Sequence, residues 1–275
     1  MRILDSNEYI NEKLVIQPVT KDMLSDYKKL SVDKETRQFI KDSHLIWNPV
    51  TKSYDCDGYV NVSEDIVAGG KLKIKFGKVC LDFNCSDNEL TTLEGAPNEV
   101  GGDFLCFHNN LTSLEDAPKK VGGNFNCSSN KLTTLYGAPQ EVGGNFRCIR
   151  NKLTTLKGAP QEVGRDFSCS SNNLTSLEGA PKKVGGYFDC YDNILTTLKG
   201  APQEVGGDFD CSRNKLTSLE GAPNEVGGDF DCCDNNLTTL EGAPNEVGKS
   251  FYCGDNPNLV LPKEKPNWLK GKIIN

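Results

Sequence analysis

Apolar residues recur along most of this chain in one fixed order. In residues 121–141, VGGNFNCSSNKLTTLYGAPQE, they are Val121, Phe125, Cys127, Leu132 and Leu135, separated by glycine and polar positions. The opening valine returns at Val79, Val100, Val121, Val142, Val163, Val184, Val205, Val226 and Val247, an unbroken spacing of 21. A fixed period of this size marks a stack of like units, each burying its apolar face against the next. Phe and Cys two apart have the period of a strand, so D-F-x-C-S predicts a short strand with both side chains inward. The leucines three apart turn the corner and fill the far side of the core. The return segment carries Pro and several Gly, which disfavours an α-helix and predicts an extended or turn-like outer side.

The ends of the chain lack this pattern. Residues 1–42 read as a helical N-terminal extension. Thr20 caps a first helix carrying Met23, Leu24, Tyr27 and Leu30, and Asp33 caps a second ending near Phe39 and Ile40. The charged faces of these helices, with Lys28, Lys29 and Arg37, are either solvated or partner-binding. Residues 43–78 form an N-terminal cap, with a strand over 44–47 and a turn at Asn48-Pro49. Its Val60 and Val62 take the Phe and Cys places of a degraded repeat, and Asp65 the Asn place. The regular array spans 79–258, and 259–275 close the far end. Trp47 and Trp268 fall outside the array, where aromatics can cover the open ends of a core.

An asparagine recurs at Asn88, Asn109, Asn130, Asn151, Asn172, Asn193, Asn214, Asn235 and Asn256. A buried carboxamide both donates and accepts, so it can bond the bent backbone of its own and the next coil. Of the 12 cysteines, nine share one place in successive repeats. Stacked strands hold such side chains about 4.8 Å apart, wider than a disulfide wants, and a reduced internal ladder is expected. With 2 histidines in the chain, no metal or cofactor site is expected.

The core F-x-C-x-x-N-x-L-T-x-L resembles the leucine-rich repeat core L-x-L-x-x-N-x-L, most closely the short bacterial kind with helix-free returns. The resemblance covers the array. It implies a β-rich, leucine-rich-repeat-like solenoid of nine 21-residue repeats with a parallel β-sheet, a helix-poor outer side and a small, mainly helical N-terminal segment. The valine stands nine places before the asparagine instead of eight, which bears on the convex geometry and not on the stacking. The wording N-K-L-T-S-L-E-G-A-P with E-V-G-G-D-F-D-C-S is also similar to repeat proteins encoded by bacteriophages. That likeness implies a phage source and the host cytoplasm as the working place.

Composition narrows the partners. A net charge of −7 argues against nucleic acid, and no apolar run is long enough to span a membrane. The first residues contain no uninterrupted apolar stretch of the secretory kind, so a cytoplasmic location is expected.

Information can reside only in the outward columns, because the inward ones are nearly constant. Three alternate repeats break consensus there with bulky residues: Leu105, Phe107 and His108; Arg147, Ile149 and Arg150; Tyr187 and Tyr191. Aromatics with arginine are the composition of binding hot spots. Drift in a tolerant scaffold, or packing of the N-terminal segment on this face, would give the same pattern. Towards the C-terminus lies an acidic block: Asp189, Asp208, Asp210, Asp229, Asp231 and Asp234. Its self-repulsion would be relieved by a basic protein surface or by calcium, or screened by water on a solvated acidic face.

Two coincidences suggest chemistry. Asp87, His108 and Ser129 share a column like a triad, and Cys233 is an outward thiol among carboxylates. A flat sheet offers no oxyanion hole, and acidic neighbours make a thiol a poor nucleophile. The expectation is therefore a non-enzymatic solenoid that binds another protein, such as a host defence or regulatory factor. A structural or adhesive module, in a virion or on carbohydrate, is the alternative. The oligomeric state stays open.

Overall fold

The computed structural model describes residues 32–275; the helix expected around residues 23–30 lies outside them. The chain from Asp57 onward winds as a β-solenoid. Its front sheet has 11 parallel strands, from Val60–Asn61 through the eight equivalents running from Phe83–Asn84 to Phe230–Asp231, then Phe251–Tyr252 and Ile273–Ile274. Each strand pairs in register with its equivalent one repeat away, as Phe125 with Phe104 and Phe146. The return segments form a second parallel ladder of two-residue strands, Glu99–Val100, Lys120–Val121 and their equivalents. The extended outer side expected from Pro and Gly is thus a hydrogen-bonded sheet, with no helix in it.

Two inward stacks fill the coil. Phe83, Phe104, Phe125, Phe146, Phe167, Phe188, Phe209, Phe230 and Phe251 lie with successive ring centroids 5.1–5.6 Å apart. The cysteines beside them are fully buried and unpaired. Their thiols donate to the next coil's backbone, as Cys211 Sγ to Asp231 O at 3.2 Å. Burial raises the thiol pKa of these residues, which keeps them protonated and inert.

The asparagine column ties the coils together. Asn130 Nδ2 donates to Cys127 O (3.1 Å) and Ser128 O (3.3 Å) of its own coil and to Cys106 O (3.0 Å) of the preceding one. Its Oδ1 accepts from Leu111 N of the preceding coil at 2.9 Å. The same set recurs from Asn109 to Asn256, and every member of the column is buried. The neighbour it bonds is the preceding coil, not the next one expected from sequence, because its Nδ2 reaches back to the carbonyl of the cysteine-place residue one repeat earlier.

Both ends of the phenylalanine stack are closed by edge-on aromatics. Trp268 stands against Phe251 at 5.2 Å, as expected of a C-terminal cover. At the other end Phe76 leads into the stack and Phe39 meets it at 89°. Phe39 belongs to the helix Lys34–Asp42, whose Asp33 cap accepts from Thr36 N at 2.7 Å, the capping expected from sequence. Trp47 packs instead on Tyr54, within the strand pair Ile46–Asn48 and Ser53–Cys56. Val60 pairs with Phe83 as the degraded repeat requires, whereas Asp65 is exposed in a 3-10 turn, Glu64–Ile66, and does not act as an asparagine equivalent.

The rear ladder is interrupted once, between Glu141–Val142 and Glu162–Val163, while the front sheet runs on through Phe146 and Phe167. The break falls at Gly164-Arg165, where the usual glycine pair loses its second member. A Cβ built on the first glycine of an intact pair, such as Gly143, would overlap the carbonyl oxygen of the preceding coil. At Gly164 the same atom would stand 2.9 Å away, so the two coils are further apart at the rear here.

Removing one member of the asparagine column leaves several buried carbonyls and an N–H without partners. Asn151→Ala is expected to destabilise the array by about 2–4 kcal/mol. Its exposed neighbour Lys152→Ala should change stability by less than about 0.5 kcal/mol. Urea unfolding followed by circular dichroism checks this, and equal midpoints for the two variants would contradict the role assigned to the amide.

Candidate protein-binding face

The residue before each phenylalanine faces out, yet much of its column is structural. Asp103 Oδ1 accepts from Asn124 N (2.7 Å), Asn124 Oδ1 from Asn145 N (2.8 Å) and Asp166 Oδ1 from Tyr187 N (3.0 Å). Asp208 and Asp229 do the same for Asp229 N (2.8 Å) and Ser250 N (2.7 Å). These two members of the acidic block therefore tether the next coil, and Lys249 approaches Asp208 at 3.8 Å. The period alone could not reveal this, since a tethering aspartate and a solvated one have the same place in the repeat.

The column after phenylalanine holds Leu105, Arg147, Ser168, Asp189, Asp210 and Asp231 in strand register. Each aspartate uses Oδ1 to accept from the N–H two residues on: Asp189 from Tyr191, Asp210 from Ser212 and Asp231 from Cys233, at 2.8–3.0 Å. Asp210 Oδ2 accepts from the Tyr187 hydroxyl at 3.3 Å. No lysine or arginine among the described residues pairs with these three carboxylates.

In the column after cysteine, Phe107, Ile149 and Tyr191 alternate with Ser128, Ser170 and Ser212. Sequence reading treats the three large residues as exposed; the structure makes them half-buried. Of the serines between them, Ser170 and Ser212 are buried and Ser128 is half-buried. Large and small side chains thus alternate along the face.

The next column, at the end of the strand turn, carries Asp87, His108, Ser129, Arg150, Ser171, Asp192, Arg213, Asp234 and Asp255, every one with φ between 50° and 58°. These side chains project from the rim. His108 Nδ1 lies 3.1 Å from Asp87 Oδ1, and its ring meets Phe107 edge-on at 5.3 Å. Ser129 Oγ makes no bond to His108, so the triad-like order does not assemble a nucleophile with its base. Arg213 approaches Asp234 at 3.4 Å and places its guanidinium 5.4 Å from the Tyr191 ring. Arg150 is exposed on this rim.

Burial, with a hydrogen bond to Asp231, pushes the Cys233 thiol up to about 12. Among the described residues no group of three or more His, Cys, Asp or Glu side chains is arranged to hold a metal ion, the acidic block included. No helix among them is long and apolar enough to cross a membrane. The large exposed apolar residues among those described are Ile46, Val50, Tyr59, Leu81, Tyr136, Ile194, Val260 and Ile274, and of these only Ile274 belongs to a strand of the front sheet. Comparison with known protein families, with curated proteins and with solved structures returns no match to this chain.

Burial also raises the Asp189 carboxyl from 3.8 to about 6, against hydrogen bonds from Tyr191 N and Ser170 that favour its ionised form. Between those pH values the folded chain holds more protons at this group than the unfolded chain, so stability falls as pH rises through them. Ionised Asp189 therefore opposes folding at neutral pH. Asp189→Asn keeps the acceptor for Tyr191 N and removes the charge; it is expected to stabilise the protein at pH 7.5 by about 1–2 kcal/mol. The gain should vanish below pH 4 in thermal melts. A variant less stable than wild type at pH 7.5 would contradict this.

Proposed function

We propose that this chain is a non-enzymatic binding solenoid of the leucine-rich-repeat kind, whose front face from Leu105 to Asp234 holds a partner protein. One observation carries the reading: the front face is a continuous in-register surface on which inward columns are constant while outward columns carry the variation. From Phe83 to Phe251 it extends roughly 40 Å at the usual strand spacing, about the reach of a protein–protein interface. Phe107, Ile149 and Tyr191 supply apolar ridges, and Arg147, Arg150 and the aspartates supply charge around them. Such a mixture of half-buried rings and charged rim is what partner recognition uses. The likeness of the repeat wording to bacteriophage repeat proteins supports a host protein as the partner, blocked or redirected in the host cytoplasm.

Affinity purification from host cells with the tagged chain, read by mass spectrometry, identifies the partner. The variant Phe107→Ser/Ile149→Ser/Tyr191→Ser returns three positions to the consensus serine. It should lose at least about tenfold in recovery of that protein. Equal recovery by both chains would remove this face from the interface.

A further inference from the structure

The gap in the rear ladder changes more than a spacing. At every other junction between the coils of Val79 and Val247, three backbone bonds join the return segments. The junction after the gap shows the set: Lys182 N to Gln161 O (2.8 Å), Gly185 N to Val163 O (3.0 Å) and Gly186 N to Arg165 O (3.0 Å). Between the coils of Val142 and Val163 none of the three forms, so Gln161 N, Gly164 N and Arg165 N donate to nothing in the preceding coil. The core registers the gap. Val142 is 6% exposed, where its equivalents from Val79 to Val247 are 0–2% exposed. The Phe146 ring tilts 31° from Phe125, against 17° or less for every other neighbouring pair from Phe83 to Phe251. The front of the same junction is whole. Phe146 N donates to Asp166 O (2.8 Å), Cys148 N to Ser168 O (2.9 Å) and Asp166 N to Asn145 Oδ1 (3.0 Å). Asn172 Nδ2 still reaches back to Cys148 O at 3.0 Å.

We infer that this junction is a hinge, about which the coils before Gln161 and those from Gln161 onward move as two rigid blocks. A stack opens where the fewest bonds have to break. Parting the rear of any other junction breaks three backbone bonds and a strand pair, whereas parting this one breaks none. The front ladder and the asparagine corner keep their bonds through the motion, which makes them its axis. Because the axis lies in front, widening the rear slit curls the front face inward. The hinge also divides the candidate face. Phe107, Arg147 and Ile149 ride on one block, and Tyr187, Tyr191 and the aspartates on the other. The tilt between Ile149 and Tyr191 therefore follows the slit, and the face adjusts its curvature without unfolding a coil. The hinge stands on the scaffold's own bonds and holds whether or not the face binds a protein.

Double electron–electron resonance on the full chain tests it, with spin labels on genetically encoded keto residues so that the native thiols stay untouched. Labels in place of Lys120 and Glu204 span four junctions of the rear, the open one included. Labels in place of Glu162 and Glu246 span four intact ones. All four positions are exposed, and the backbones of each pair lie about 19 Å apart at the usual strand spacing. The first pair should give a distance distribution at least about twice as wide as the second. Native-state hydrogen exchange gives an independent reading: Gln161, Gly164 and Arg165 amides should exchange at least about tenfold faster than Lys182, Gly185 and Gly186. Thermal melts confirm that the labelled chains are folded. Equal widths overturn the hinge even where exchange is fast, because fast exchange alone describes a static gap. Slow exchange at all three amides overturns it too, because the rear bonds would then be made.

Discussion

The side-chain amide of one asparagine per coil is the interaction on which the rest depends. Its two donors and one acceptor link carbonyls and an N–H of two successive coils, where the chain leaves the strand and no regular ladder could satisfy them. A buried backbone group without a partner is expensive, and each turn of a solenoid would otherwise carry several. With that corner settled, phenylalanine and cysteine are fixed inward. The front strands then need be only two residues long, because tethers from Asp103, Asn124, Asp166, Asp208 and Asp229 extend the pairing by side chain. The scaffold is rigid through polar bonds as much as through its thin apolar core.

Rigidity of this kind separates scaffold from surface. Serine suffices at the column after cysteine, yet alternate repeats replace it with Phe107, Ile149 and Tyr191. The carboxylates of Asp189 and Asp210 are both raised by burial, so ionising them at neutral pH opposes folding. Substitutions that weaken the fold while leaving its geometry intact are typical of places kept for binding. Outside the front face, charge is handled differently: Lys120 meets Glu141 at 2.9 Å and Lys199 meets Glu178 at 3.1 Å, balanced between neighbouring coils. Asp208 and Asp234 follow that habit with Lys249 and Arg213, whereas Asp189, Asp210 and Asp231 have no lysine or arginine partner among the described residues.

Much of the fold was legible because period is a strong signal. The order of apolar residues placed Val60 opposite Phe83 despite a gap of 23 residues, the repeat set the asparagines inside, and the residue type ahead of a helical pattern identified Asp33 as a cap. What it could not convey is how closely coils approach at each column. The tethering role of Asp208 and Asp229, the half-burial of Phe107 and Ile149, and the opening of the rear ladder at Arg165 all depend on that approach. The candidate face was legible as a set of exceptions to the repeat. Its division into tethers, ridges and an uncompensated acidic strip was not, because members of one column share a sequence position while their partners lie 21 residues away.

The claim at the centre of this account is that the front strand face is the binding surface. A photo-cross-linking amino acid placed at Tyr191, or at Tyr136 in an outer turn, tests it most directly. Both positions already carry tyrosine, so the probe perturbs each similarly, and Tyr136 is the more exposed of the two. Irradiation in host cells should give a discrete adduct from position 191 and none from position 136. An adduct from position 136 alone, or equal adducts from both, would contradict the account.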